Sequence, residues 1–509
     1  MEDITTDWLY EPRTDAGMRF LEDDGNWRMT KYAELAGKAW AMAEVLRERG
    51  LAGERLGVIA ETSEDCVVQT FAVVVTGGTC VPLPHFLPRL DESQQWADLS
   101  AHILSTGRPR AVLQRRGGLA VDGWEAAQVP RFDELTTLAP GRVSQSAAPT
   151  LIQFTSGSTG PAKLVRTSRR ALNAALHSAQ QMSELTPQDT TVIWTPWWFL
   201  PMMFSTASLQ ADIFMMTPAQ FLADPATWLR CIGKLGCTTT AAPSFGYQYT
   251  LNNVSREDVA DCRFDHCRRA FINAEPLRAR DIDGFVDRFG PLGFRREAFC
   301  PAYGLSESTL TASHAPIGRG PVLRPGDVGP DALVGVGRAV PGCERRVLLE
   351  DGRDAPEGEV GEIHIGGDNV ADGYEPGPDF DEWVPTGDAG SIQDGELFVL
   401  GRIDDSFSCL GERFLVPEAE ARIHARIVDA MAVAVVPARA DGAGITVVVE
   451  SASAWPDERA GQMAKTVSGL FRGVEVDLLV VVPGGIPRTA GGKPLRRECF
   501  SRYVAGRPR

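Results

Sequence analysis

Apolar positions recur at helical spacing over Tyr32–Gly50 (YAELAGKAWAMAEVLRERG), with charges on the opposite face and Gly50 as a natural stop. Arg55–Ala60 (RLGVIA) reads as a short apolar strand, and a second helix is expected around Asp65–Val75. The segment GGTCVPLP that follows reads as a turn and another strand. Strand–helix–strand succession predicts parallel sheets covered by helices, an α/β fold. The stretch 111–143 is less regular and predicts little.

The pattern changes after residue 330. Cys343–Leu349, Gly361–Ile365 and Glu396–Leu400 are short strand-like runs separated by Gly, Pro and Asp turns. They predict a β-rich subdomain over about 330–401, closing a large N-terminal unit of residues 1–401. A polar joint, Gly401-Arg402-Ile403-Asp404-Asp405, leads into residues 402–509. That tail reads strand, helix, strand, helix, a suitable size for a small α+β domain.

Composition narrows the functions. The chain has 509 residues, 43% of them hydrophobic, with a formal charge of −16. Sizeable cores are expected, and a nucleic-acid surface, which needs clustered positive charge, is not. The N-terminus MEDITTDWL lacks a basic-then-apolar leader pattern, and Val67–Leu83 is too interrupted to span a bilayer. A soluble, cytoplasmic protein is expected. The 10 cysteines include no CxxC pair, so reduced, buried thiols are expected rather than a zinc site.

In an acidic chain, a lysine beside a glycine run carries information. Leu151–Val165 (LIQFTSGSTGPAKLV) sends a strand into Thr155, Ser156, Gly157, Ser158, Thr159 and Gly160, with Lys163 just beyond. Glycines let backbone N–H groups wrap an anion, hydroxyls donate to phosphate oxygens, and the lysine adds a point charge. No Ser or Thr follows Lys163, so this is not the common GxxxxGK[ST] loop. A flexible surface turn is the bland alternative.

This loop resembles the phosphate loop of the adenylate-forming superfamily, which includes acyl-CoA synthetases, fatty acyl-AMP ligases and peptide-synthetase adenylation domains. Ala162 and Leu164 depart from that family's loop exit. Further motifs follow in family order. PAYGLSESTL at Pro301–Leu310 is similar to its YGxTE segment; the resemblance implies Tyr303 on the adenine, Gly304 beside it, and Glu307 on Mg²⁺ with Thr155. INAEPL resembles the adenine-side segment, which implies Asn273, Ala274 and Glu275 there. WVPTGDAG implies Asp388 on the ribose hydroxyls. GRIDD implies Arg402 on the nucleotide and Asp404 as a hinge, and Arg413 matches a further phosphate contact. IPRTAGGKPLRR implies Lys493 as the catalytic lysine of a mobile C-terminal domain.

The reaction implied joins a carboxylic acid to AMP, releasing pyrophosphate from ATP. The acyl group then passes to CoA or to the phosphopantetheine thiol of a carrier protein, expected on a separate chain. APSFGY and YGLSESTL resemble the fatty acyl-AMP ligase branch, yet Thr311–Val334 is short where that branch carries an insertion. Phe199 stands, with Leu200, where the family has a His–Asp pair. With Trp198, Phe245 and Gly246 it implies an apolar acid pocket, although core aromatics explain the same residues equally well. No acidic residue suited to a substrate amino group stands out. An acyl, alicyclic or aryl acid is expected, in secondary metabolism by analogy. Two alternatives stay open: an enzyme that makes only the adenylate, and a non-catalytic nucleotide-binding relative.

Overall fold

The computed structural model describes residues 3–84, 93–115, 126–144, 146–155, 162–195, 200–273, 276–409, 412–427, 430–437, 444–471, 474–488 and 494–504. The first expectations hold closely. A helix spans Tyr32–Glu48, and the chain turns at Gly50 with φ +66°. A strand spans Arg55–Ala60 and runs parallel to Thr79–Pro84. The helix between them, Glu64–Val75, is capped by Ser63, whose hydroxyl accepts from the Cys66 amide. Apart from Glu64, Asp65, Gln69 and Thr70 it is apolar, and all of it but Asp65 is buried.

Among the described residues, two large sheets carry the architecture. One has seven strands in the order 373–375, 164–167, 151–154, 79–84, 55–60, 111–115, 126–129. The other has nine, in the order 338–339, 313–314, 299–303, 269–273, 239–243, 190–193, 212–215, 17–21, 27–31. The central strands of both are parallel; the edges are antiparallel except at 126–129, which runs parallel to 111–115. The fold is α/β, as the alternating pattern predicts. The hairpin of Gly17–Leu21 and Trp27–Lys31 was not anticipated. It joins the nine-stranded sheet beside Asp212–Met215, a pairing across almost two hundred residues that local patterning does not encode.

A cluster of aromatics backs the nine-stranded sheet. Tyr247, Phe285, Phe294 and Phe299 are buried, with ring centroids 4.9–5.4 Å apart along the chain of contacts. Burying each such side chain contributes about 1.5–3 kcal/mol. The strands 239–243, 269–273 and 299–303 are thus held from behind, which fixes the residues on their other face.

Residues 343–402 form a four-stranded antiparallel sheet of Cys343–Leu348, Gly361–Gly367, Val384–Gln393 and Glu396–Arg402. The tail departs from simple alternation. It opens with a hairpin, Ser406–Cys409 and Glu412–Leu415, and two of its strands, Ala432–Pro437 and Ile445–Glu450, follow each other directly and pair antiparallel. Both are Val-rich runs buried on both faces, so neither shows the two-fold alternation that would mark its limits. Val416, Ile423, Val435, Val447, Val467 and Phe471 form an apolar cluster of their own in this region.

Cys66, Cys80, Cys231, Cys237, Cys262, Cys267, Cys300, Cys343 and Cys499 are free and buried. Burial pushes the Cys300 thiol up to about 12, which suits packing rather than thiolate chemistry. No described helix is long and apolar enough to cross a membrane.

Candidate active site

One cleft of about 1670 Å³ collects residues from most of the motifs above. Thr155 and Lys163 lie at its edge, at the two ends of the Gly/Ser loop. Strands Leu151–Phe154 and Leu164–Thr167 are antiparallel neighbours, so the loop is the connection between them. Its base is closed twice. The Thr155 amide donates to the Lys163 carbonyl at 2.9 Å, and the Lys163 amide donates to Thr155 Oγ1 at 3.0 Å. Ser156, Gly157, Ser158, Thr159 and Gly160 lie outside the described residues, as do Trp198, Phe199, Ala274, Glu275 and Lys493.

Lys163 Nζ stands 4.8 Å from the centroid of the Tyr374 ring, a cation–π contact. The Tyr374 hydroxyl donates to Glu307 Oε1 at 2.7 Å. Burial, then the Glu307 charge, pushes the Tyr374 phenol well up, so it stays a donor. Glu307 is itself buried, and the Ser306 hydroxyl donates to the Phe154 carbonyl at 3.3 Å. The ends of the Gly/Ser loop and the Glu307 segment are therefore tied at both the backbone and the side-chain level. Nothing in its local sequence singles out Tyr374.

A second constellation lies beside the first. The Tyr303 hydroxyl donates to Asp388 Oδ2 at 2.6 Å. Burial, then the charge of Asp388, raises the Tyr303 phenol well above its ordinary value. Arg402 Nη1 donates to Asp388 Oδ1 at 3.3 Å and to the Thr386 carbonyl at 2.7 Å. Asp388 and Arg402 are direct partners across two antiparallel strands. Gly387 between them has φ +72°, and a Cβ there would sit 2.8 Å from Arg402 Nη2. Only glycine leaves the guanidinium this position. Gly304, Asn273 and Asp404 also line the cleft.

Pro487, Arg488 and Pro494 line it from the C-terminal region. The Leu495 amide donates to the Pro487 carbonyl at 2.7 Å, and Arg488 bridges to Pro494, so the loop that carries position 493 is also pinned at its base. Arg496 follows at once. Its guanidinium grips Glu420 at 2.7 and 3.1 Å and Asp405 at 2.5 Å. Asp405 adjoins the expected hinge, so an ion-pair network links that joint to the C-terminal helix.

One part of the cleft runs between the nine-stranded sheet and the helices Arg169–Ser183 and Leu200–Leu209. Met182, Ile193, Met202, Ala241 and Phe271 are among its walls. Phe245 lines the cleft. Gly246 sits one layer behind, where a Cβ would lie 2.3 Å from the Trp194 ring; its absence lets Trp194 stack on Phe221 at 3.8 Å.

Magnesium favours oxygen ligands, one or two of them carboxylates, and completes its shell with substrate phosphates and water. Glu307 and the Thr155 hydroxyl, at the foot of a phosphate loop, fit that donor set. Among the described residues no group of three His, Cys, Asp or Glu is placed to hold a metal ion.

Comparison with known proteins agrees with this geometry. Residues 12–375 match the family described as AMP-binding enzyme. A 4-hydroxyphenylalkanoate adenylyltransferase of Mycobacterium marinum is 28% identical over 99% of this chain and 91% of its own. A long-chain-fatty-acid–AMP ligase of Mycobacterium tuberculosis is 26% identical over 93% of this chain and 91% of its own. A solved structure from studies of fatty acyl-adenylate ligases from E. coli and L. pneumophila superposes with a TM-score of 0.85. It is 25% identical, over 99% of this chain and 98% of that one.

Proposed function

Because the chain belongs to the AMP-binding enzyme family, we propose that it activates an apolar carboxylic acid with ATP to an acyl-adenylate and passes the acyl group to a thiol. The observation that carries this reading is the single cleft in which Thr155, Lys163, Tyr303, Glu307, Asp388 and Arg402 meet. The substrate carboxylate attacks the α-phosphorus and pyrophosphate leaves. The carboxylate is ionised near neutral pH, so no protein nucleophile is needed. What the protein supplies is position and charge.

In this reading the loop Thr155–Lys163 grips the phosphates. Glu307 and Thr155 would hold Mg²⁺, which neutralises phosphate charge when bound. Tyr303 offers its ring face to adenine, and Asp388 accepts from the ribose hydroxyls. Lys493 brings a cation to the α-phosphate and leaving pyrophosphate from the loop pinned at Pro487–Leu495. Residues 402–509 act as a small domain that turns at Asp404 between adenylation and thiol transfer. The acceptor is CoA or a phosphopantetheinyl carrier protein.

Acid-dependent exchange of labelled pyrophosphate into ATP tests the first half-reaction. Protein that binds ATP yet shows no exchange with a broad panel of apolar acids would contradict it. Comparing free acyl-AMP with and without CoA separates a full synthetase from an enzyme that makes only the adenylate.

A further inference from the structure

The segment 372–380 is stitched into a closed turn at the edge of the seven-stranded sheet. The Phe380 amide donates to the Asp372 carbonyl at 2.7 Å, and Gly373 bridges to Asp379. Its strand, Gly373–Glu375, pairs with Leu164–Thr167, the strand that leaves the phosphate loop. Register decides what each side chain faces. Tyr374 pairs with Val165, whereas Gly373 pairs with Arg166 and Glu375 with Leu164. Paired residues share a face and successive residues alternate. Tyr374 therefore stands on one face, where it meets Lys163 and Glu307, and Arg166 and Glu375 stand on the other. Within 372–380, Tyr374 is the residue that lines the cleft.

An edge strand of three residues has few backbone bonds to hold it, and the far face supplies the anchorage. Arg166 Nη2 donates to the Pro378 carbonyl at 3.0 Å and to Asp379 Oδ1 at 2.9 Å, and its Nε lies 3.8 Å from Glu375 Oε2. One guanidinium thus spans both limbs of the turn. A Cβ on Gly373 would sit 2.5 Å from Arg166 Nη2, so the guanidinium packs directly on the backbone there. From another element, Arg55 Nη1 donates to Glu375 Oε1 at 3.1 Å and to the Gly107 carbonyl at 2.7 Å. Asp379 is exposed, and such a pair is worth little by itself. The contacts around Glu375 are more sheltered and carry the clamp.

Resting on the adenylation reading of the cleft, we propose that Arg166 is a positioning residue for the nucleotide and its Mg²⁺. It clamps the turn to the exit strand of the phosphate loop and so sets Tyr374 between Lys163 and Glu307. Arg166 does not itself line the cleft, so it acts through Tyr374. A hydrogen bond to a charged group weakens steeply once its donor is misaligned, which is the penalty of losing the clamp.

The test is calorimetric titration of the full chain with ATP and Mg²⁺, alongside acid-dependent pyrophosphate exchange. Arg166→Met keeps the apolar stem and removes the guanidinium. Its affinity for ATP with Mg²⁺ is expected to fall roughly 10-fold, the weight of one charge-assisted hydrogen bond. The KM for the acid should stay within about twofold, because no contact with the acid is lost. Arg166→Lys, which keeps a charge beside Glu375, should recover part of the loss. In a Tyr374→Ala background Arg166→Met should cost almost nothing more, since residues acting through one another are not additive. Glu375→Leu frees the turn at its other anchor and should reproduce the loss, which keeps the test open where Tyr374→Ala does not fold. A purely structural arginine would lower the unfolding midpoint and raise the ATP and acid constants together. Native ATP affinity in Arg166→Met or in Glu375→Leu, an equal change for the acid, or a full further loss in the Tyr374→Ala background overturns the proposal and leaves adenylation standing. Native protein that binds ATP yet exchanges with no acid overturns adenylation, and the affinity ratio of Arg166→Met then still decides the clamp. Native protein that binds no ATP overturns both.

Discussion

Tyr374 donates its hydroxyl to the Glu307 carboxylate at 2.7 Å while its ring carries the Lys163 ammonium at 4.8 Å from the centroid. One side chain thus spaces the lysine of the phosphate loop from the carboxylate assigned to Mg²⁺. Tyr374→Phe keeps the ring and removes the donor. A hydrogen bond to a charged group is worth about 1.5–3 kcal/mol, so kcat/KM for exchange should fall roughly 10- to 100-fold. The Mg²⁺ concentration for half-maximal rate should shift, because the carboxylate loses its orienting partner. An unaltered magnesium profile would show that Tyr374 does not set the carboxylate.

Asp388 is held from two sides, by Tyr303 at 2.6 Å and by Arg402 at 3.3 Å. Both contacts aim it, and neither needs the nucleotide. Asp388→Asn should therefore fold, yet weaken ATP binding by losing charge-assisted acceptance from the ribose hydroxyls. The KM for ATP is expected to rise about tenfold, with a smaller change in the KM for the acid. Equal rises in both would move Asp388 from nucleotide recognition to general architecture.

Lys493 adjoins a loop whose base is fixed by the Leu495 amide on the Pro487 carbonyl at 2.7 Å. Removing one preorganised charge at a reacting centre typically costs roughly 10²–10³ in rate. Lys493→Ala should show that loss in the adenylation half-reaction. Thiol transfer from synthetic acyl-AMP should be affected far less. Full adenylation activity in the variant would refute the role given to this lysine and favour a different source of charge in the cleft.

The legibility of this molecule divides along sequence distance. Thr155 and Lys163 were readable because they stand in a short run whose residue types suit phosphate, and Tyr303, Glu307, Asp388 and Arg402 because their motifs follow that loop in the order of the family they resemble. The structure brings these six to one cleft. Tyr374 and Arg166 were not readable. Each is a single residue whose meaning comes from partners 67 positions away in one case, and 212 positions away in the other. The strands at 343–348 and 361–367 alternate enough to be seen, whereas the buried valine runs at 432–437 and 445–450 do not announce their ends.

Arg496 holds two carboxylates, Glu420 and Asp405, at the joint before the C-terminal region. Burial lifts Glu420 above its ordinary range, and Arg496 pulls it back down. Arg496→Leu strands that carboxylate, which for a buried pair costs roughly 3–5 kcal/mol. The unfolding midpoint should drop clearly, with Arg496→Lys recovering part of it. A carboxyl raised in the fold stabilises fully below its unfolded value of 4.5 and loses that contribution as pH rises through the folded value. The variant raises Glu420 further, so its deficit should be largest near neutral pH and shrink toward pH 4.5. A deficit independent of pH would assign the effect to lost packing.

His314 gives the opposite slope. Burial lowers its folded value from 6.5 to about 4. Above 6.5 folded and unfolded chains both carry it neutral, and its contribution to stability is complete. As pH falls from 6.5 toward 4 the unfolded chain takes up the proton and the folded chain does not. Stability is therefore lost over that window at up to about 1.4 kcal/mol per pH unit. His314→Leu removes this one titration. Denaturant unfolding followed from pH 7 to pH 4 should show a shallower acid loss in the variant than in the native protein. Parallel slopes would mean that His314 takes up its proton in the fold as readily as in the unfolded chain.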